Sequence, residues 1–149
     1  MKYVIDASTA FQWEVPEPDS LKAIQLREDY RNGIHELISP DIFPAEVGNA
    51  LIVAERKGRI IAGQFAVRLT AILAVCPDLH DTRPLILRAC YIIASVTTGF
   101  RLSFYDALYD ALYVALAERE GCDLISGDGK LVRNLQTSYP FIKSLASLP

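Results

Sequence analysis

Four acidic residues stand where a single fold could gather them: Asp6, Glu46, Asp110 and Asp128. Asp6 closes an apolar run, Lys2-Tyr-Val-Ile, and Asp128 follows a second one, Cys122-Asp-Leu-Ile-Ser126. Two unit charges about 4 Å apart repel by ~4 kcal/mol at an effective dielectric near 20. A cluster of four is therefore stable only if it takes up protons or a cation. Oxygen-only ligands of this kind suit Mg²⁺ or Mn²⁺. Such an ion can activate water, orient a phosphodiester and neutralise the charge that develops on it. Taken singly, each acid has a plainer reading. Asp6 and Asp128 could be turn residues, the latter between Gly127 and Gly129. Glu46 could simply complement a helix dipole.

The elements that must position these acids alternate between strands and helices. Lys2–Asp6 reads as a strand leaving through the loop 6–9. Asp19 or Ser20 can cap a helix from Leu21 to Asn32, with Gly33 as its stop. Glu36–Ser39 is a second strand. Pro44 suits the first turn of a helix running to Lys57, and Gly58 ends it. Further helices are expected over Ile60–Val75 and Arg83–Val96, the latter capped by Asp81 or Thr82 and closed by Thr97, Thr98 and Gly99. Ser103 can cap a long helix from Phe104 to Arg119, ended by Gly121. A strand over Cys122–Ser126, a short helix over Lys130–Leu135 and a last strand at Phe141–Lys143 complete the chain. This alternation predicts an α/β fold with a small central parallel sheet flanked by helices. Ligands of such sheets sit at the carboxyl ends of the strands. Asp6 and Asp128 fall at that edge, and Glu46 and Asp110 reach it if their helices pack beside it.

Composition narrows the class. The chain has 149 residues, half of them apolar and 22% charged, which predicts one globular domain over 1–149. The three cysteines, Cys76, Cys90 and Cys122, are far apart and odd in number, so buried reduced thiols are expected. His35 and His80 lack partners at metal-ligand spacing. No apolar run approaches membrane-spanning length, and the start lacks the pattern of a secretory signal, so a cytoplasmic protein is expected. A net charge of −3 excludes binding of nucleic acid through bulk charge and points to a local basic patch.

Val4-Ile-Asp6-Ala-Ser8 resembles the opening motif of PIN-domain ribonucleases, and Pro44-Ala-Glu46-Val-Gly-Asn49-Ala-Leu51 resembles their second motif. Tyr109-Asp110-Ala-Leu-Tyr113, followed by Leu124-Ile-Ser126-Gly-Asp128, resembles their closing pair. The likeness runs almost end to end and is greatest to the VapC-type toxins of bacterial type II toxin–antitoxin modules. It implies a three-layer fold and Mg²⁺- or Mn²⁺-dependent cleavage of RNA. It implies Asp6, Glu46 and Asp110 at the metal with Asp128 close by, Ser8 or Thr9 holding the first loop, and Asn49 supporting the Glu46 helix. It also implies a homodimer and a cognate antitoxin that covers the acidic site. One departure is the repeat Tyr105-Asp-Ala-Leu-Tyr109-Asp-Ala-Leu-Tyr113, in which Asp106 and Asp110 compete for one family position. The 18 residues from Asp110 to Asp128 match the family spacing, and the 22 from Asp106 do not. Asp106 remains as an accessory acid or a first-turn residue.

Other residues carry weaker signals. Lys130 and Arg133 are candidate phosphate contacts or a solvated helix face. Arg56, Lys57 and Arg59 form a basic cluster of the same double reading. Phe11, Trp13 and the tyrosine ladder read as packing before RNA stacking. Excess apolar residues between Asp41 and Val75, including Ile42, Phe43, Val47, Leu51, Ile60, Phe65 and Leu69, supply the core and a possible partner face. Two rival functions remain open. One is a PIN-like binding module without catalysis. The other is a phosphatase with Asp6 as nucleophile, which the missing D-x-D disfavours.

Overall fold

The computed structural model describes residues 1–96 and 104–149, and of Phe104 and Tyr105 only the backbone. Five parallel strands form one sheet in the order β3-β2-β1-β4-β5. They are β1 (Lys2–Ile5), β2 (Glu36–Pro40), β3 (Asp78–His80), β4 (Asp123–Ser126) and β5 (Ile142–Ser144). The central strand β1 is buried from Tyr3 to Ile5, as a strand covered on both faces must be. Its register sets Ile5 beside Ile125 of β4. The chain leaving β1 at Asp6 therefore runs beside Ser126.

The helices are α1 (Ala7–Phe11), α2 (Ser20–Arg31), α3 (Phe43–Arg56), α4 (Gln64–Leu73), α5 (Ile86–Ser95), α6 (Phe104–Glu120) and α7 (Gly129–Leu135). The core of the fold is α6 lying on β1, β2 and β4, with α5 packed against it. From Ala111 to Ala117 every residue of α6 is buried, because sheet and helices surround it. This run holds Asp110, one position earlier, at a fixed height above the strand ends.

Several expectations need correction. Residues 7–11 are a helix and not a loop: the Asp6 carboxylate accepts the Thr9 N–H and caps it. Helix α4 starts at Gln64 rather than Ile60, because Gly63 takes a left-handed conformation, φ +85°, that no helix continues through. Strand β3 was not foreseen, since three exposed or half-exposed residues at a sheet edge carry no alternation. Arg83–Leu85, with its proline, makes a 3-10 turn before α5. Cys90 is exposed and Cys76 and Cys122 are half-buried, so the thiols are free but not sequestered. Thr97, Thr98, Gly99 and Ser103, expected at helix ends, lie outside the described residues.

Of the apolar residues expected between Asp41 and Val75, Phe43, Val47, Leu51 and Ile60 join the core. Ile42, Phe65 and Leu69 are half-buried against it. Trp13 is buried, which fits its reading as packing. Among the described residues, no helix is long and apolar enough to cross a membrane.

Candidate active site

The carboxyl edge of β1 and β4 gathers acids from four places in the chain. Asp6 follows β1 and Asp128 follows β4 after one residue. Glu46 stands in the first turn of α3, where its charge also complements the helix dipole. Asp110 and Asp106 stand one turn apart on α6.

Asp6 is 5% exposed and is held by three hydroxyls and one backbone N–H. Ser8 Oγ donates to its Oδ1 at 2.6 Å and the Thr9 N–H at 3.0 Å. The Thr9 hydroxyl lies 3.0 Å from both that oxygen and the Ile125 carbonyl. Ser126 Oγ donates to Oδ2. Ser8 and Ser126 also accept, from the N–H groups of Gly127 and Asp128, each at 3.0 Å. Each serine thus ties the end of β1 to the turn after β4. Burial still pushes the Asp6 carboxyl above its ordinary range, against the effect of all four bonds. Asp128 caps α7, accepting from Lys130 N at 2.8 Å and Leu131 N at 3.4 Å.

Glu46 and Asp110 are displaced further. Burial, then the charges of Asp6 and Asp106, push the Glu46 carboxyl up to about 7, while a hydrogen bond from Tyr113 OH at 3.2 Å pulls it down. Burial, then Asp6, Glu46, Asp128 and Asp106 in that order, push Asp110 up to about 8. The charges named as raising these two groups are all carboxylates.

Two consequences are measurable. In the unfolded chain both carboxyls ionise near pH 4, whereas the folded, ion-free chain keeps their protons to about pH 7 and about pH 8. The folded state therefore binds more protons across that window, and its stability falls as pH rises through it and levels off above. We expect the Tm in EDTA to fall by roughly 5 °C or more between about pH 5 and pH 8.5, and Asp110→Asn to flatten that fall. A fall of equal size in the variant would show that other groups set it. Second, Tyr113→Phe removes the one hydrogen bond that favours the ionised Glu46. The midpoint of cation binding against pH is expected to move upward in that variant; an unchanged midpoint would show that the phenol does not act on the carboxylate.

A cleft of about 690 Å³ opens over this edge. Its lining includes Ser8, Glu46, Asn49, Asp106, Asp110 and Asp128, so the acids and both proposed supporting residues come together. Asp6 lies buried behind Ser8. Asp106 is exposed on the wall, and Asp110 is half-buried. Asn49 is exposed on α3. Lys130 and Arg133 are exposed on α7 and do not line the cleft. Lys57, Arg59 and Tyr109 do line it. Ser126 and the Tyr113 hydroxyl were missed as site groups. The parallel register that sets Ser126 beside Asp6, and the three-residue step from Asp110 to Tyr113, are the signals that point to them.

The donor set of Glu46, Asp106, Asp110 and Asp128 fits a hard divalent cation in its chemistry, being oxygen only and acidic. Among the described residues, no three Asp, Glu, His or Cys side chains converge into a ready-made shell. An open arrangement suits Mg²⁺, which keeps much of its water and is held by one or two carboxylates rather than an all-protein cage.

The PIN domain family profile matches residues 3–134. No curated protein matches the chain. The crystal structure of PAE2754 from Pyrobaculum aerophilum is similar in fold, with a TM-score of 0.63 and 24% identity over 99% of this chain and 94% of that one. The profile spans β1 through α7, the elements that carry every acid described above. The chain belongs to the PIN-domain family, whose members are in general nucleases that use divalent metals.

Proposed function

We propose that this chain is a Mg²⁺- or Mn²⁺-dependent endoribonuclease, and that the whole of it acts as one PIN domain. The observation that carries the proposal is geometric: Glu46, Asp106, Asp110 and Asp128 line one cleft at the carboxyl edge of the sheet, with Asp6 buried beside them. Burial first and neighbouring carboxylates second push Glu46 up to about 7 and Asp110 up to about 8, an arrangement unfavourable to the empty protein and favourable to a cation. Asp6, Glu46, Asp110 and Asp128 would hold the ion. When bound, it supplies the Lewis acidity and charge neutralisation that phosphodiester hydrolysis needs. The chain's residues do the rest. Ser8, Thr9 and Ser126 fix the Asp6 carboxylate, so that no reorganisation is needed when the substrate arrives. Tyr113 orients Glu46. The cleft aligns the strand across the acidic edge.

The toxin role, with a cognate antitoxin and a homodimer, rests on the resemblance to VapC-type proteins. Exposed apolar side chains on and beside α4 and α5, among them Ile61, Val67, Leu87 and Tyr91, are consistent with partner surfaces. Preference for RNA over DNA rests on the same resemblance.

The test is cleavage of a mixed single-stranded RNA pool by purified protein with Mg²⁺, Mn²⁺ or EDTA, beside Asp6→Ala. Cleavage with metal only, lost in the variant, is the expected result. A well-folded wild type that cuts no pool and binds no cation would favour the catalytically silent binding module.

A further inference from the structure

The cleft that covers the acids continues along α3. Past Asn49, Ala50 and Val53 it reaches Lys57 and Arg59. Glu46 and Lys57 are 11 residues apart, a run of ~16 Å at the helical rise. A stacked strand rises ~3.4 Å per nucleotide, so this length holds at most about five nucleotides. One cleft therefore has an acidic end and a basic end at an oligonucleotide's separation.

Arg59 is held in a particular way. Its guanidinium carbon lies 5.4 Å from the centre of the Phe11 ring, and its Nη2 lies 3.0 Å from Glu17 Oε1. Phe11 is buried and belongs to α1, the helix that Asp6 caps. The cation is thus anchored to the same short element that begins at the buried carboxylate. Its side chain remains 43% exposed. Arginine offers a planar fork of donors, and stacking on a ring leaves the edges of that fork available.

We propose that Arg59, with Lys57, forms a second phosphate subsite of this cleft, gripping the backbone of a single-stranded nucleic acid a few nucleotides from the carboxylates, and that Glu17 is the counter-ion the strand displaces. The inference rests on the nuclease reading for what happens at the acidic end, but the subsite can be tested apart from it. A chain of net charge −3 with an acidic centre cannot collect a polyanion by bulk attraction. A localised cation at the far end of the cleft supplies that grip, and remote binding of this kind can be used to hold the reacting phosphate in place. Glu17 is a suitable placeholder, because exposed ion pairs are weak. A phosphate can form charge-assisted bonds with the same donors. Ala50 and Val53 give the intervening wall an apolar face against which bases or sugars can lie.

The experiment is fluorescence anisotropy of labelled oligouridylates of two to eight nucleotides, in EDTA so that metal-dependent cleavage does not intervene. Wild type, Arg59→Gln, Arg59→Lys and Glu17→Gln are compared after melting curves establish that each is folded. The octamer is expected to bind wild type at least ~10-fold more tightly than the dimer. Arg59→Gln should remove most of that gain and lower the salt slope by about one counter-ion, and Arg59→Lys should restore part of it. Glu17→Gln should tighten the octamer by ~3-fold, by removing the competitor. Opposite signs for Arg59→Gln and Glu17→Gln are the signature, because a merely structural ion pair would move both the same way. Equal shifts, no length dependence, or binding of an oligoglutamate probe in preference to the octamer would overturn the proposal, the last in favour of an acidic protein segment at that end. Intact metal-dependent cleavage with unaltered Arg59→Gln binding would reject the subsite alone. Arg59-dependent binding by a protein that cuts no RNA would reject the nuclease alone.

Discussion

Asp110→Asn lowers metal-dependent cleavage by ~100-fold or more and, in EDTA at pH 8, raises the Tm by ~5 °C. Both effects follow from one placement. Asp110 stands at the head of the buried stretch of α6, so it cannot move away from the acids around it; burial first, then the charges of Asp6, Glu46, Asp128 and Asp106, push its carboxyl up to about 8. The amide has nearly the same shape and no charge. It relieves the repulsion in the empty protein and removes a ligand from the filled one. A residue with a purely structural role would lose activity and stability together, so the opposed signs are the informative part. Asp106→Asn is the control. That residue is exposed on the cleft wall one turn earlier on α6, and it should change both quantities less. Initial rates on an RNA pool and melting curves in EDTA decide the matter; a larger loss with Asp106→Asn would show that the repeat was assigned to the wrong member.

Gly127→Ala is the second large effect, at a residue with no chemistry of its own. A Cβ there would lie 2.6 Å from Gln12 Nε2 and 3.1 Å from the Ser8 carbonyl oxygen. Gln12 is 3% exposed and has little room to yield, and the Ser8 oxygen is backbone. Something must shift, at a cost of ~1–3 kcal/mol. The shift separates Ser8 from the turn after β4, where the Gly127 N–H meets Ser8 Oγ. That contact helps seat the hydroxyl on Asp6, so cleavage falls as well. Gly129→Ala is the contrast, since its Cβ would meet the far end of the exposed Arg133 side chain at 3.0 Å. Urea unfolding and cleavage rates should separate the two glycines; equal and small losses would show that the turn tolerates the methyl group.

The sheet and the acidic edge were legible because they depend on local pattern. Apolar runs ending in Asp6 and preceding Asp128, and a proline-led helix carrying Glu46, mark strand ends and a first helical turn whatever the rest of the chain does. What was not legible depends on register and packing. Ser126 becomes a partner of Asp6 only once β1 and β4 pair in parallel with Ile5 beside Ile125. Tyr113 read as one rung of an aromatic ladder, and only the burial of α6 directs its hydroxyl to Glu46. Lys130 and Arg133 looked closest to the site because they follow Asp128 in sequence, but they are not among the residues that line the cleft. Arg59, 13 residues beyond Glu46, reaches it because α3 runs alongside. The edge strand β3 escaped notice because three residues are too few to show a period.

The central claim is that the carboxylates form a cation site, and calorimetric titration of the ion-free protein with Mn²⁺ near pH 7, in two buffers of different ionisation enthalpy, tests it most directly. With Glu46 at about 7 and Asp110 at about 8, filling the site should release about one and a half protons per ion. The account predicts that release in wild type, with both the release and most of the binding lost in Asp110→Asn. Binding with no proton release, or no binding at all by a folded protein, would contradict it.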